Sequence, residues 1–170
     1  MMLYVVDAMG GPTAFQRLIA DTAKGAQGIV NLALNPEPGA TPIGTTFSDI
    51  FANFSAAATL DSNQLGLGFS NIDLAFGCST TVCRVQYSGF NDTWSQMATS
   101  GVQEIEGWGI RAYRYTGGTG AQLSIRVQPS ESGFRGSLLE RDSSTGTWSI
   151  SEMVVDPATS DLLALVDSFG

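Results

Sequence analysis

Glu104 and Glu106 stand two residues apart on one face of an expected strand, and Glu140, Asp142 and Glu152 fall in neighbouring β segments. Carboxylates whose environments push their pKa values apart can divide acid and base roles, as in glycosidases. Carboxylates at the ends of surface strands are ordinarily solvated, and that is the expectation here. A Ser-Lys dyad would have to use Lys24, the sole lysine, at the polar edge of a helix end. The 170 residues include no histidine. That removes Ser-His and Cys-His relays, His-ligated zinc and most acid–base chemistry at neutral pH. No catalytic residue is therefore assigned.

Gly117-Gly118-Thr119-Gly120 has neither the following helix nor the lysine of a phosphate-binding loop, so it is expected to be a hairpin turn. Cys78 and Cys83 are the only cysteines, separated by Ser79, Thr80, Thr81 and Val82. That spacing can close a local disulfide, and two ligands alone cannot complete a tetrahedral metal site. The disulfide is the expectation, with free thiols and a metal or redox pair as the other readings, and it favours an oxidising compartment.

Asp61-Ser62-Asn63-Gln64-Leu65-Gly66 resembles the opening of a calcium loop, but Leu65 and Ile72 occupy the fifth and twelfth positions, where oxygen ligands are needed. A capping turn is the better reading. A looser calcium site could draw on Asp142, Asp156 or Asp161 in the β half. Trp94, Trp108 and Trp148, with Tyr87, Tyr113 and Tyr115, could stack sugar rings against flat aromatic faces; core volume with a polar handle is the commoner use. Asn53-Phe54-Ser55 and Asn91-Asp92-Thr93 match the glycosylation pattern, and Asn53 is placed opposite the apolar stripe of its helix.

Bulk composition limits the partners. Sixteen acidic residues against eight basic ones give a net charge of −8, which repels phosphate backbones and anionic membranes, so no nucleic acid is expected. Hydrophobic residues make up 43% and charged ones only 14%, the balance of a folded β-rich extracellular protein. The longest apolar runs, such as Leu162 to Val166, fall far short of the ~20 residues of a membrane span. The opening Met-Met-Leu-Tyr-Val-Val has no basic flank and Asp7 interrupts it, so it is no signal peptide; an export signal for a secreted protein would lie upstream.

Two halves with different periods must position these residues. In the first, Leu3, Val6 and Met9 recur at helical spacing until Gly10-Gly11; Pro12 opens a second helix with Phe15, Leu18 and Ile19 on one face. A third from about Ala26 is expected to bury Ile29, Val30, Ala33 and Leu34, and Asn35-Pro36-Glu37-Pro38-Gly39 must break it. Thr46 and Asp49 form an acidic capping box for a fourth, with Phe47, Ile50, Phe51 and Phe54 as its stripe. This helical unit is thin, so self-association through an apolar face is an expectation.

In the second half the period becomes two. Strands are expected at 82–87, 102–106, 110–115, 123–127, 136–140, 147–151, 153–156 and 162–166, separated by turns such as Ser144-Thr145-Gly146 and Asp156-Pro157. The fold class is therefore α+β: a small helical domain over 1–72, then an antiparallel β-sandwich over 73–170.

The ordered N-terminal signals carry a resemblance. Leu3-Tyr4-Val5-Val6-Asp7-Ala8-Met9-Gly10-Gly11, Gly28-Ile29-Val30-Asn31-Leu32-Ala33-Leu34 and Thr46-Phe47-Ser48-Asp49-Ile50-Phe51-Ala52-Asn53-Phe54 resemble the helical subdomain that follows the active-site helix in immune inhibitor A-like secreted zinc metallopeptidases. Gly66-Leu67-Gly68-Phe69-Ser70-Asn71-Ile72-Asp73 looks like that family's exit into a β-sandwich. The resemblance implies an extracellular or cell-surface setting and zinc as the family's metal. This chain lacks HExxH and its following glutamate, so no catalytic residue, metal ligand or cofactor carries over. Two readings follow: a non-catalytic C-terminal portion serving an upstream peptidase domain, supporting its cleft or binding a surface or substrate, or a stand-alone extracellular β-sandwich module for a glycan or protein. A His-independent hydrolase is the third.

Overall fold

The computed structural model describes residues 1–60, 91–93, 105 and 107–170. The chain divides into two compact units, Met1–Gln86 and Tyr87–Gly170. That division and the boundary expected at 72/73 both lie outside the described residues. The class is α+β: four helices at the N-terminus followed by antiparallel sheets.

Helix α1 (Met2–Ala8) buries Tyr4 and Val5, and Met9 is buried just after it. It stops at Gly10 and Gly11, whose φ values of +115° and +67° glycine adopts without a Cβ clash. The Ala8 carbonyl, left over at the helix end, accepts Thr41 N–H at 2.9 Å. Helix α2 (Pro12–Ala20) begins on Pro12, whose missing N–H costs nothing in a first turn. Arg17, in its last turn, reaches Glu37 at 2.7 Å and the Asn35 carbonyl at 2.5 Å.

Helix α3 (Ala26–Leu34) is led in by Asp21, whose carboxylate accepts Ala23 N–H at 2.7 Å and the Asn31 amide at 3.0 Å. These hydrogen bonds hold the Asp21 carboxyl below its ordinary pKa, the Ala23 contribution being the larger. Helix α4 (Phe47–Leu60) carries the expected capping box in full. Thr46 N–H donates to Asp49 Oδ2 at 3.1 Å, and Asp49 N–H donates to Thr46 Oγ1 at 3.2 Å.

The core of the helical unit is Tyr4, Val5, Met9, Ala14, Ile29, Leu32, Ile43, Ile50 and Ala57. It corrects three sequence-based expectations. In α2 the buried position is Ala14, while Phe15 and Ile19 are exposed. In α3 Ile29 is buried as expected and Val30 and Ala33 pack partly buried against the core, but Gly28 and Leu32 are buried too and Leu34 is 53% exposed. Gly28 sits at a close approach: a Cβ there would stand 3.0 Å from the Ala23 carbonyl oxygen and 3.6 Å from Leu18 Cδ1, so its position belongs to the packed side of the helix. Asn53 is also turned inward, its amide donating to the Ile43 carbonyl at 3.0 Å. The nitrogen that glycosylation needs is thus engaged in folding.

In the β unit, β1 (Asn91–Thr93) and β2 (Arg114–Thr116) make a short parallel pair, a departure from the all-antiparallel expectation. Strand β3 (Ala121–Val127) pairs antiparallel with β7 (Leu162–Phe169), and β6 (Val154–Val155) pairs with the other edge of β7. Strands β4 (Ser137–Arg141) and β5 (Trp148–Glu152) form a separate hairpin. Register puts Leu123, Ile125, Val166, Ala164 and Leu162 on one face of the β3–β7 pair and Ser124, Arg126, Leu163 and Leu165 on the other. Leu123 and Leu162 are buried, whereas Leu165 is exposed. No described helix is long and apolar enough to cross a membrane.

Ile50→Ala is expected to destabilise the helical unit by about 2–5 kcal/mol, the range for truncating a fully buried aliphatic side chain. Ile19→Ala should shift it by less than about 0.5 kcal/mol. Urea unfolding followed by far-ultraviolet circular dichroism distinguishes them; equal effects would contradict the burial pattern. Burial also raises the Tyr4 phenol from 10.0 to about 12. Its raised folded pKa favours the neutral form, so this contribution is complete below pH 10 and lost as pH rises through 12; a Tyr4 phenolate that titrates normally in the folded protein would rule it out.

Candidate functional site

Two turns in the β unit share one geometry. In the β4–β5 turn, Asp142 N–H donates to the Thr147 carbonyl at 2.9 Å, and Gly146 N–H donates to the Asp142 carbonyl at 2.8 Å. In the β6–β7 turn, Asp156 N–H donates to the Asp161 carbonyl at 2.8 Å, and Ser160 N–H donates to the Asp156 carbonyl at 2.8 Å. Each leading aspartate accepts the amide two residues on: Ser144 at 2.7 Å and Ala158 at 2.8 Å. The residue before each closing position is left-handed, Gly146 at φ +71° and Ser160 at φ +63°. An Asx turn followed by a left-handed residue lets these strands reverse with the right twist.

Asp142 is occupied by this task. Its Oδ1 accepts Ser144 Oγ at 2.6 Å, Thr145 N–H at 2.9 Å and Ser144 N–H, and these bonds, led by the Ser144 hydroxyl, hold its pKa down at about 2. Asp161 is buried just before β7, its carboxylate accepting Arg126 Nε at 2.5 Å and paired with the same guanidinium's Nη2. Arg126 stands opposite Leu163, so Asp161 is its diagonal neighbour on the same face. Burial acts to raise the Asp161 pKa, but Arg126, Thr159 and Gln128 outweigh it and the net shift is downward.

Four of the described carboxylates in this half are committed to structural partners. Asp142 and Asp156 serve separate turns, Asp161 serves Arg126, and Glu152 pairs with Arg135 at 2.9 Å with its side chain 59% exposed. Glu140 lies in β4, opposite Ser149 of β5 rather than beside a second acid. Among the described residues no group of three or more His, Cys, Asp or Glu side chains could hold a metal ion. The calcium arrangement considered for Asp142, Asp156 and Asp161 is not assembled. The acidic pair Glu104 and Glu106, the loop Asp61 to Gly66, Cys78, Cys83 and Trp94 lie outside the described residues.

The tryptophans separate clearly. Trp148 opens β5, half-buried and opposite Arg141. Trp108 is 63% exposed and has a left-handed backbone, φ +60°, between Gly107 and Gly109. Ile110, next along, is 45% exposed, and Arg111 and Tyr113 are half-buried. A bulky residue with positive φ pays a conformational cost that glycine would avoid, and such outliers concentrate at sites of function. The glycine bracket around Trp108 was the available sequence signal; nothing in the spacing announced the Arg126–Asp161 pair.

No family model, no curated protein and no solved structure matches the chain. The candidate site is accordingly defined by geometry alone: an exposed indole on a strained turn, in a β unit whose described acids are mostly committed to structure.

Trp108→Gly should stabilise the β unit, by roughly 1 kcal/mol, because it relieves the left-handed strain. Thermal unfolding checks this, and a clear loss of stability would show the indole to be a structural member instead. The depressed pKa values of Asp142 and Asp161 stabilise the fold above the unfolded value of 3.8. That contribution is lost as pH falls, for Asp142 through about 2. Asp142→Asn should flatten the acid limb of the stability profile, and an unchanged limb would contradict the turn's role.

Proposed function

We propose that this chain is the non-catalytic portion of a secreted or cell-surface metallopeptidase-like protein, a helical unit joined to a β unit that contacts a surface or substrate. The observation that carries the reading is the contrast between committed acids and an exposed indole. Asp142, Asp156, Asp161 and Glu152 each have a structural partner, and Trp108, which makes interactions of its own, still presents 63% of its surface to solvent. An exposed indole on a turn suits a contact surface. An extracellular setting accords with the low charged fraction of 14%.

The zinc of the resembled family finds no matching donor set among the described residues. The sequence has no histidine, and the described carboxylates point to separate local partners. No step of peptide hydrolysis is therefore assigned to any residue of this chain. Its contribution would be to hold and orient, with a protein or glycan as partner and an upstream peptidase domain as the neighbour it serves.

The purified chain should hydrolyse no protein or peptide substrate, with or without added zinc; zinc-dependent turnover would sink the reading. The coding sequence upstream of Met1 should encode an export signal and an HExxH segment. A translation start at Met1 would instead leave the stand-alone binding module.

A further inference from the structure

One sheet face of the β unit is apolar and open to water. Met153 N–H donates to the Gly136 carbonyl at 2.8 Å, so the β4–β5 hairpin runs on into β6. Alternation then places Trp148, Ile150, Glu152 and Val154 on one face. Val154 stands opposite Leu163 of β7, and Leu165 follows on the same side. The other face is the packed one: a Cβ on Gly136 would meet Met153 Sδ and, at 3.3 Å, Leu162 Cδ1. On the open face Val154 is 68% exposed, Leu165 55% and Ile150 36%, and no large apolar side chain among the described residues is more exposed than Val154. An antiparallel sheet with one packed face ordinarily turns polar side chains to the other, so this one departs from the rule in the direction of a contact surface.

We propose that a second copy of this chain packs on that face, sheet against sheet, as a weak symmetric dimer. Charge selects the occupant. Each copy carries a net charge of −8, so two copies repel one another over most approaches. On this face the acids are already neutralised: Glu152 is paired with Arg135 at 2.9 Å and Asp161 with Arg126, while Arg141, opposite Trp148, adds a cation. An acidic copy therefore meets least repulsion where the apolar side chains lie. A two-fold axis brings the patch onto itself, so Val154 and Leu165 are covered in both copies by one contact. Four strands about 4.8 Å apart and about five residues long make a face of roughly 300 Å². That falls short of the ~800 Å² per partner of a standard complex, so the dimer forms and dissociates with concentration.

The test is analytical ultracentrifugation of the full chain, from low micromolar to near-millimolar concentration, at low and high salt. A monomer–dimer equilibrium should appear and tighten as salt screens the repulsion between copies. Val154→Arg and Leu165→Arg should each weaken the dimer by at least about tenfold. Val154→Thr, which keeps the β-branched shape, should weaken it measurably but less. Ile19→Arg, at an exposed position of α2, should leave it unchanged. All four positions are solvent-exposed substitutions, so thermal unfolding should stay close to wild type and separates lost association from lost folding. Should an arginine variant unfold, the folded Val154→Thr protein decides, and full-strength dimerisation there would count against the face. A monomer at every concentration and salt, a dimer that survives both arginine substitutions, or one abolished by Ile19→Arg would each overturn the proposal.

Discussion

The β unit depends on one buried charge. Asp161 is the only charged residue among the described ones to be buried, at 4% exposure, and it is tied into three strands at once. Its carboxylate holds Arg126 of β3, its carbonyl closes the turn from β6, and its chain continues into β7. An ionised carboxylate leaves water only when hydrogen-bonded and paired, so this arrangement admits little variation in register. Sliding β3 by one residue would move Arg126 to the opposite face and leave Asp161 buried without its partner.

That constraint matters because apolar burial in the described β residues is sparse. Leu123 and Leu162 are the buried aliphatics, while Val154, Val155 and Leu165 remain exposed. Backbone turns therefore take a large share of the specification, through Asx bonds and left-handed residues repeated in the β4–β5 and β6–β7 connections. Asp142 and Asp156 look like chemistry in a sequence and are turn parts in the structure. The helical unit solves the problem differently, with a continuous apolar core and a capping box at α4.

Trp108 shows the reverse case, where a residue type expected to fill a core stands outside one. It lies between two glycines, with a left-handed backbone and an exposed side chain. Its exposure and its positive φ belong to the local turn and follow from no helical or strand period.

Local periodicity determined most of the architecture. The starts at Pro12 and Ala26, the Thr46–Asp49 cap, and strands near 123–127, 136–140, 147–151 and 162–166 all follow from nearest-neighbour chemistry, because caps, turns and alternation act within a few residues. The absence of histidine likewise excluded whole reaction classes before any coordinate. Tertiary structure decided what required distant partners: that Gly28 and Leu32 rather than Leu34 face the core, that Asn53 turns inward to Ile43, and that Arg126 finds Asp161 across 35 residues of sequence. A side chain's burial and pairing depend on which surface meets it, and apolar spacing within one helix or strand carries no information about that surface.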